Sequence, residues 1–259
     1  MTGRLPAPGT RAWTCRCSGT ELRRIAHETY PSRPWRNGQG ISRDIASGEG
    51  WQASLAEIDR SGRFSDFTGS LRLFAVVAGA VVLHLPRGHP IACDAASPVV
   101  VFDGGEPPDC EVVASPARAL NLIVPAGSGA ACLERLVLEP GSKVLAGSGD
   151  EGDHDGGVTL IFVQSGRVEC RLCREADEPG RIGAAGAPEA PAEPPGRSGT
   201  SEKKAVAILA GAADSVIVTG TGGGERLLLR AADRQRAAAL VARIGAGVAG
   251  RITPSPNRP

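Results

Sequence analysis

The sequence predicts an all-β chain, a sandwich or barrel, on three observations. Apolar runs of four to eight residues, rich in Val, Leu and Ile, recur at short spacing. Gly, Pro, Asp or Ser bound most of them, and these are the residues that turn a chain. Glycine-marked pairs separate several neighbouring runs, as they do in hairpins.

Residues 1–20 hold Pro, Gly, Thr and Arg without periodicity and are expected to be a disordered lead-in. Strand-like runs follow at Trp51–Ile58, Leu71–Val77, Ala80–Leu85, Val99–Phe102, Glu111–Ala114, Ala119–Val124 and Cys132–Leu138. Ala78-Gly79 between two of them reads as a hairpin turn. With 21–140 as an N-terminal half, residues 141–157, rich in Gly, Ser, Asp and Glu, read as a flexible loop. The runs resume at Val158–Val163 and Arg167–Leu172, with Ser165-Gly166 as a second hairpin turn. Residues 175–204 are dominated by Pro, Ala, Gly and Glu, too poor in apolar surface to order themselves, and read as a disordered insert. A C-terminal half made of 158–174 and 205–247 adds Val206–Ala210, Ser215–Thr219, Arg226–Arg230 and Ala238–Ile244. Thr221-Gly222-Gly223-Gly224 is a third turn. Residues 231–247 favour helix by their alanines and arginines, yet Leu240-Val241-Ala242-Arg243-Ile244 could equally close a sheet, and a strand preceded by a turn is the expectation. Residues 248–259 read as a disordered tail.

The bulk chemistry narrows the function. Lys+Arg of 29 against Asp+Glu of 28 gives a net charge of +1, which argues against capture of nucleic acid or an anionic membrane. No apolar stretch approaches the roughly 20 residues of a membrane helix, and no apolar leader is seen, so a soluble cytoplasmic protein is expected. Seven scattered cysteines without a secretory leader do not make a disulfide framework.

Residues 34–45, Pro-Trp-Arg-Asn-Gly-Gln-Gly-Ile-Ser-Arg-Asp-Ile, crowd an aromatic, two arginines, an amide, a hydroxyl and a carboxylate around two glycines. Such a segment is either a site wall or a heavily hydrogen-bonded turn. In Leu71–Val77, alternation puts Arg72 on one face with Phe74 and Val76. Arg72 therefore either reaches out at a rim or points into a polar cavity, where its planar fork suits a carboxylate. Asn121, within Ala119–Val124, must find partners if buried, as a ligand-orienting or a structural amide. No metal or cofactor is expected. The histidines are widely spaced, and Cys15-x-Cys17 with Cys170-x-x-Cys173 is a poor match to a four-thiolate zinc site. No Gly-x-Ser-x-Gly elbow or phosphate loop is present.

The segment Pro34-Trp35-Arg36-Asn37-Gly38-x-Gly40 with Ser42-x-Asp44-Ile45 resembles the opening signature of the HutD/Ves family. The resemblance runs on through Trp51-x-x-Ser54-Leu55-Ala56-x-Ile58. It continues in Gly62-x-Phe64-Ser65-x-Phe67-x-Gly69-x-x-Arg72-x-Phe74, then Gly79, Phe102-x-Gly104 and Asn121-Leu122. It is specific over about residues 22–127. The resemblance implies a cupin-like (RmlC-like) double β-barrel and a link to histidine utilization. It also implies a non-enzymatic protein that binds a small carboxylate metabolite, such as formiminoglutamate or urocanate, and limits flux. By the same carry-over Trp35, Arg36, Asn37, Gly38, Gly40, Arg72 and Asn121 line or shape the pocket, and Ser42 and Asp44 hold its loop.

Departures stand at Ala119, where the family has an acid, and at Pro125 and Ala126, where it has arginine. A second reading makes the chain a metal-independent isomerase or hydrolase, with Asp44 as a base kept ionised by Arg72. A third makes it an interaction scaffold that uses the 175–204 insert. A homodimer through edge strands is an assembly open to such a barrel.

Overall fold

Alternating burial along short apolar runs is the pattern of strands with two different faces, and the chain builds it almost throughout. The computed structural model describes residues 12–17, 20–35, 37–38, 40–127, 131–146, 157–174, 206–220 and 225–245. The insert at 175–204, the tail at 248–259 and the turn at Thr221–Gly224 lie outside them.

The strands are β1 (Ala12–Cys17), β2 (Thr20–Ile25), β3 (Ser32–Pro34), β4 (Ile41–Gly48), β5 (Trp51–Ile58) and β6 (Gly62–Arg63). Next come β7 (Ser70–His84), β8 (Ile91–Asp94), β9 (Val100–Asp103), β10 (Asp109–Pro125), β11 (Ala131–Leu138) and β12 (Lys143–Ala146). The chain ends with β13 (Val158–Ser165), β14 (Val168–Arg174), β15 (Val206–Ala210), β16 (Ser215–Thr219), β17 (Glu225–Ala231) and β18 (Ala237–Ile244). A single 3-10 turn at His27–Thr29 is the only helical element among the described residues, and no described helix is long and apolar enough to cross a membrane.

All pairings are antiparallel. One sheet runs β3-β4-β5-β10-β7-β8, with β6 on β10 and β9 on β7; it curls into the first barrel. A six-stranded sheet, β1-β2-β16-β13-β18-β11, and a four-stranded sheet, β12-β17-β14-β15, make the second. Three cores follow. Phe64, Phe74, Val76, Leu83 and Phe102 fill the first barrel, and Ile161, Val163, Leu172, Leu229 and Val241 fill the second. A third core, with Trp51, Leu73, Leu120, Leu122, Phe162 and Leu240, joins the two.

Several expectations are corrected. Residues 12–17 are not part of a disordered lead-in but form β1, paired with β2 from Ala12↔Ile25 to Cys17↔Thr20. Within 141–157, Lys143–Ala146 is strand β12 on β17 rather than loop. The halves also do not divide at 140, because β2 pairs with β16 and β11 with β18. The second barrel therefore takes strands from both sides of the first. Residues 237–244 form a strand, as closing the sheet requires.

Neither Ala78-Gly79 nor Ser165-Gly166 is a hairpin. β7 and β10 run straight through as strands of 15 and 17 residues, and the two runs expected on each are one element. Gly79 (φ +69°) sits where β7 bends, and a Cβ there would lie 2.4 Å from the Ala114 carbonyl oxygen. Gly166 (φ +72°) carries the chain from the six-stranded to the four-stranded sheet, and its Cβ would lie 2.9 Å from the Arg236 oxygen. The two glycines are repeats of one device. The register skips at the same place in each barrel: Val76↔Ala119 then Ala78↔Arg118 in the first, Val163↔Ala239 then Ser165↔Ala238 in the second. Such bulges bend a strand and let one ribbon serve two sheets.

Burial also sets the response to alkali. Cys110 and Cys170 are buried, and loss of solvation pushes both thiols from 9.0 up to about 12, helped by nearby Cys93 and Glu169 respectively. In the unfolded chain they ionise from about pH 9. Between these values the unfolded state binds fewer protons, so stability falls as pH rises through the window and is untouched below it. Urea midpoints measured from neutral pH upward are expected to stay level to about pH 9 and then decline.

Candidate functional site

Strand alternation gives the first barrel a polar interior at one end. On β7, Leu73 and Ala75 face the joining core, so Arg72 and Phe74 face inward. On β10 the same rule turns Asn121 inward beside Phe74, and on β5 it turns Ser54 inward opposite Asn121. These side chains, with Trp35, Ser42, Gln52 and Ser65, line a chamber of about 40 Å³.

Arg72 dominates its electrostatics. The residue is 5% exposed. Its Nε and Nη2 donate to Asn121 Oδ1 at 3.3 and 3.2 Å, and Nη1 donates to the Ser65 carbonyl at 3.3 Å. Both acceptors are neutral, and no carboxylate pairs with Arg72 among the described residues. Phe64, Phe67 and Phe102 stand 5.1, 5.3 and 5.1 Å from its guanidinium carbon. The chain has only five phenylalanines, and these three are spent on aromatic faces for one cation. Desolvation lowers the guanidinium from 12.5 to about 10, which leaves it charged at neutral pH. With three N–H groups used, each terminal nitrogen retains one donor. Ala119, the position at which the resemblance expects an acid, is fully buried and brings no charge to this interior.

Beside it stands a second unmet group. Ser65 Oγ is buried and has no hydrogen-bond partner among the described residues. Leaving a buried hydroxyl unpaired costs about 1–3 kcal/mol.

The 34–45 segment forms one wall. Trp35 N–H donates to the Gly40 carbonyl at 2.8 Å, and Gly38 N–H to the Trp35 carbonyl at 2.9 Å, closing a tight turn with Gly38 at φ +70°. The Trp35 indole packs directly over Gly40, where a Cβ would come within 2.8 Å of the ring. Its edge meets Phe64 at 5.8 Å. Trp35 and Ser42 line the chamber, whereas Asn37 lies on the adjoining groove and donates through Nδ2 to the Arg63 carbonyl at 2.7 Å. Arg36 falls outside the described residues. Asp44 accepts from Arg33 Nη2 at 3.0 Å. The Asp44–Arg72 acid–base pair of the second reading is thus not made, since Arg33 on the neighbouring strand captures the carboxylate.

Sequence reasoning missed several lining residues. Arg33 reaches the chamber from β3, and Gln52 and Ser54 reach it from β5. Period-two alternation from Ser54 would have found Gln52. Ser65, Phe64 and Phe67 come from a loop between β6 and β7, which has no periodicity to read, and Phe102 joins them from β9. This loop is tied down by Phe64 N–H to Pro108 O (3.1 Å) and Phe67 N–H to Gly104 O (2.8 Å). Beyond it lies a broad groove of about 1180 Å³, which shares Gln52, Phe64, Ser65 and Phe67 with the chamber.

Among the described residues the second barrel shows no such interior. By the matched register, Thr159 stands in the place of Arg72 and Val241 in that of Asn121, within an aliphatic core. Elsewhere His27, Glu28 and Asp214 come together, but Asp214 is already held by Arg24 at 2.7 Å and by the His27 and Gly211 N–H groups. A guanidinium bound to that carboxylate opposes a metal ion there.

The comparisons with known proteins agree with this architecture. A family model described as HutD matches residues 27–182. An uncharacterized 21.2 kDa protein in the hutC 3′ region of Pseudomonas putida is 32% identical over 111 residues, which are 40% of this chain and 58% of that protein. The chain thus matches less than two thirds of that relative's length. A conserved protein of unknown function from Pseudomonas aeruginosa superposes with a TM-score of 0.61 at 22% identity, covering 86% of this chain and 97% of its own. HutD from Pseudomonas fluorescens gives 0.57 at 17%, covering 86% and 98%. An oxalate decarboxylase from Bacillus subtilis gives 0.51 at 6%, covering 90% and 79%. The fold is all-β and cupin-like.

Proposed function

The chain belongs to the HutD family, which is linked to histidine utilization, and on that premise we propose that it binds a small carboxylate metabolite and so limits flux through histidine catabolism. One observation carries the reading. Arg72 is a buried cation whose partners are all neutral, in a chamber that keeps two of its donors free. An uncompensated charge at such depth is costly, and an anion offsets that cost. A carboxylate matches the fork bidentately.

The rest of the lining supports binding as the reading. Among the described residues the chamber presents amides, hydroxyls, aromatic rings and arginines, but no imidazole, thiol or carboxylate to move a proton. Calorimetric titration of the purified protein with urocanate, histidine and formiminoglutamate tests the reading. Saturable heat with at least one acid is expected. Silence from all three at millimolar concentration would remove its support.

A further inference from the structure

We propose that the ligand is an elongated carboxylate, gripped head-first by Arg72 and the Ser65 hydroxyl, with a polar tail lying in the neighbouring groove. The inference rests on the carboxylate reading of the chamber and adds the shape of the molecule and a residue that selects it.

Size comes first. A volume of about 40 Å³ holds a head group of a few atoms and not a whole metabolite. The space for the remainder is next door, in the groove of about 1180 Å³, and the two share a wall at Gln52, Phe64, Ser65 and Phe67. Those shared residues are where a ligand seated on Arg72 would extend into the groove.

Donor chemistry comes second. Ser65 does two separable things. Its carbonyl oxygen takes an N–H of Arg72, which is a backbone role. Its Oγ is buried, lines the same chamber and has no partner among the described residues. The free N–H groups of Arg72 and the Ser65 hydroxyl are all donors awaiting an acceptor, and a carboxylate has two oxygens to divide between them.

The groove then sets the tail. Arg63 and Asp66 both line it and neither has an ion-pair partner among the described residues. Asp66 Oδ1 already accepts from the Thr68 N–H and hydroxyl, each at 2.7 Å, which leaves Oδ2 open. The tail that fits carries hydrogen-bonding or charged groups rather than an alkyl chain.

Titration calorimetry with formate, acetate, glutarate and glutamate, on the wild type, Ser65→Ala and Arg63→Ala, tests this together with thermal unfolding of each ligand-free protein. Formate is expected to bind weakly, and a longer acid at least tenfold more tightly. Ser65→Ala should weaken every acid about tenfold while the ligand-free melting temperature holds or rises, because an unpaired buried hydroxyl is removed and the carbonyl contact to Arg72 is kept. Arg63→Ala should weaken the longer acids and spare formate. Equal affinity for formate and all longer acids overturns the tail and leaves the carboxylate reading standing. Unchanged binding in Ser65→Ala overturns the role of the hydroxyl. No heat with any acid overturns both the inference and the reading beneath it.

Discussion

Arg72→Met is expected to lower affinity for formate and longer carboxylates by at least a hundredfold, about 2.8 kcal/mol. Methionine keeps the unbranched stem and its packing but removes the charge and every donor. Truncating one side of a desolvated charged contact typically costs 2–5 kcal/mol of binding, or somewhat more. Stability moves in the opposite sense or little. The variant loses the aromatic contacts of the cation and its bonds to Asn121 and the Ser65 carbonyl, yet it also sheds a charge that burial alone has displaced to about 10. Arg72→Lys separates charge from shape: it keeps the cation but not the fork, and should fall between the two. Calorimetry with formate, beside thermal melts of the same preparations, gives both readouts. An Arg72→Met protein that binds as before would place the carboxylate elsewhere.

The largest stability loss is expected outside the chamber, from Asp214→Ala. Asp214 is 3% exposed and accepts from Arg24 Nε and Nη2 (2.9 and 2.7 Å), from the His27 N–H (3.1 Å) and from the Gly211 N–H (2.9 Å). Its removal takes the buried carboxylate from a guanidinium that is itself 8% exposed, and takes the acceptor from the His27 and Gly211 N–H groups. Breaking a buried pair from one side costs about 3–5 kcal/mol. The neighbouring Tyr30 hydroxyl, bonded to the Ala213 carbonyl and to Ser215 Oγ at 2.8 Å each, is fixed by the same turn and should loosen with it. Asp214→Asn keeps the shape but turns an amide donor toward Arg24, so it should recover only part of the loss. Urea unfolding measures both. A change below about 1 kcal/mol in the alanine variant would show that the cluster is not the clasp described.

How much of this was legible depended on whether period-two patterning ran through the residue in question. β5 was readable to the residue, since Trp51–Ile58 alternates cleanly between two buried faces. The inward turn of Arg72 was readable as one of two options, because Phe74 and Val76 share its face. What settled the choice was the cage of Phe64, Phe67 and Phe102, which approaches from a loop and another strand, so that strand alternation carries no trace of it. The glycines misled for a physical reason. Positive φ serves a hairpin and a strand bend equally, and only the crossing backbone at Ala114–Ala117 distinguishes them for Gly79. Partition of strands between barrels was also out of reach, because pairing across nearly the whole chain leaves no local trace. Nothing in the sequence pairs Arg24 with Asp214, which stand 190 residues apart.

The embrace of the first barrel by strands of the second has a consequence for the nascent chain. Arg24 leaves the ribosome 190 residues ahead of Asp214. At about 5–20 residues per second, β2 waits roughly 10–40 s for β16. During that interval β1 and β2 form a bare ribbon with an open edge, the situation in which chains stick to one another. Glu21, Arg23 and Arg24 occupy three of the six positions of β2 and act as gatekeepers against such pairing. The arginine that later clasps Asp214 first keeps its own strand solitary.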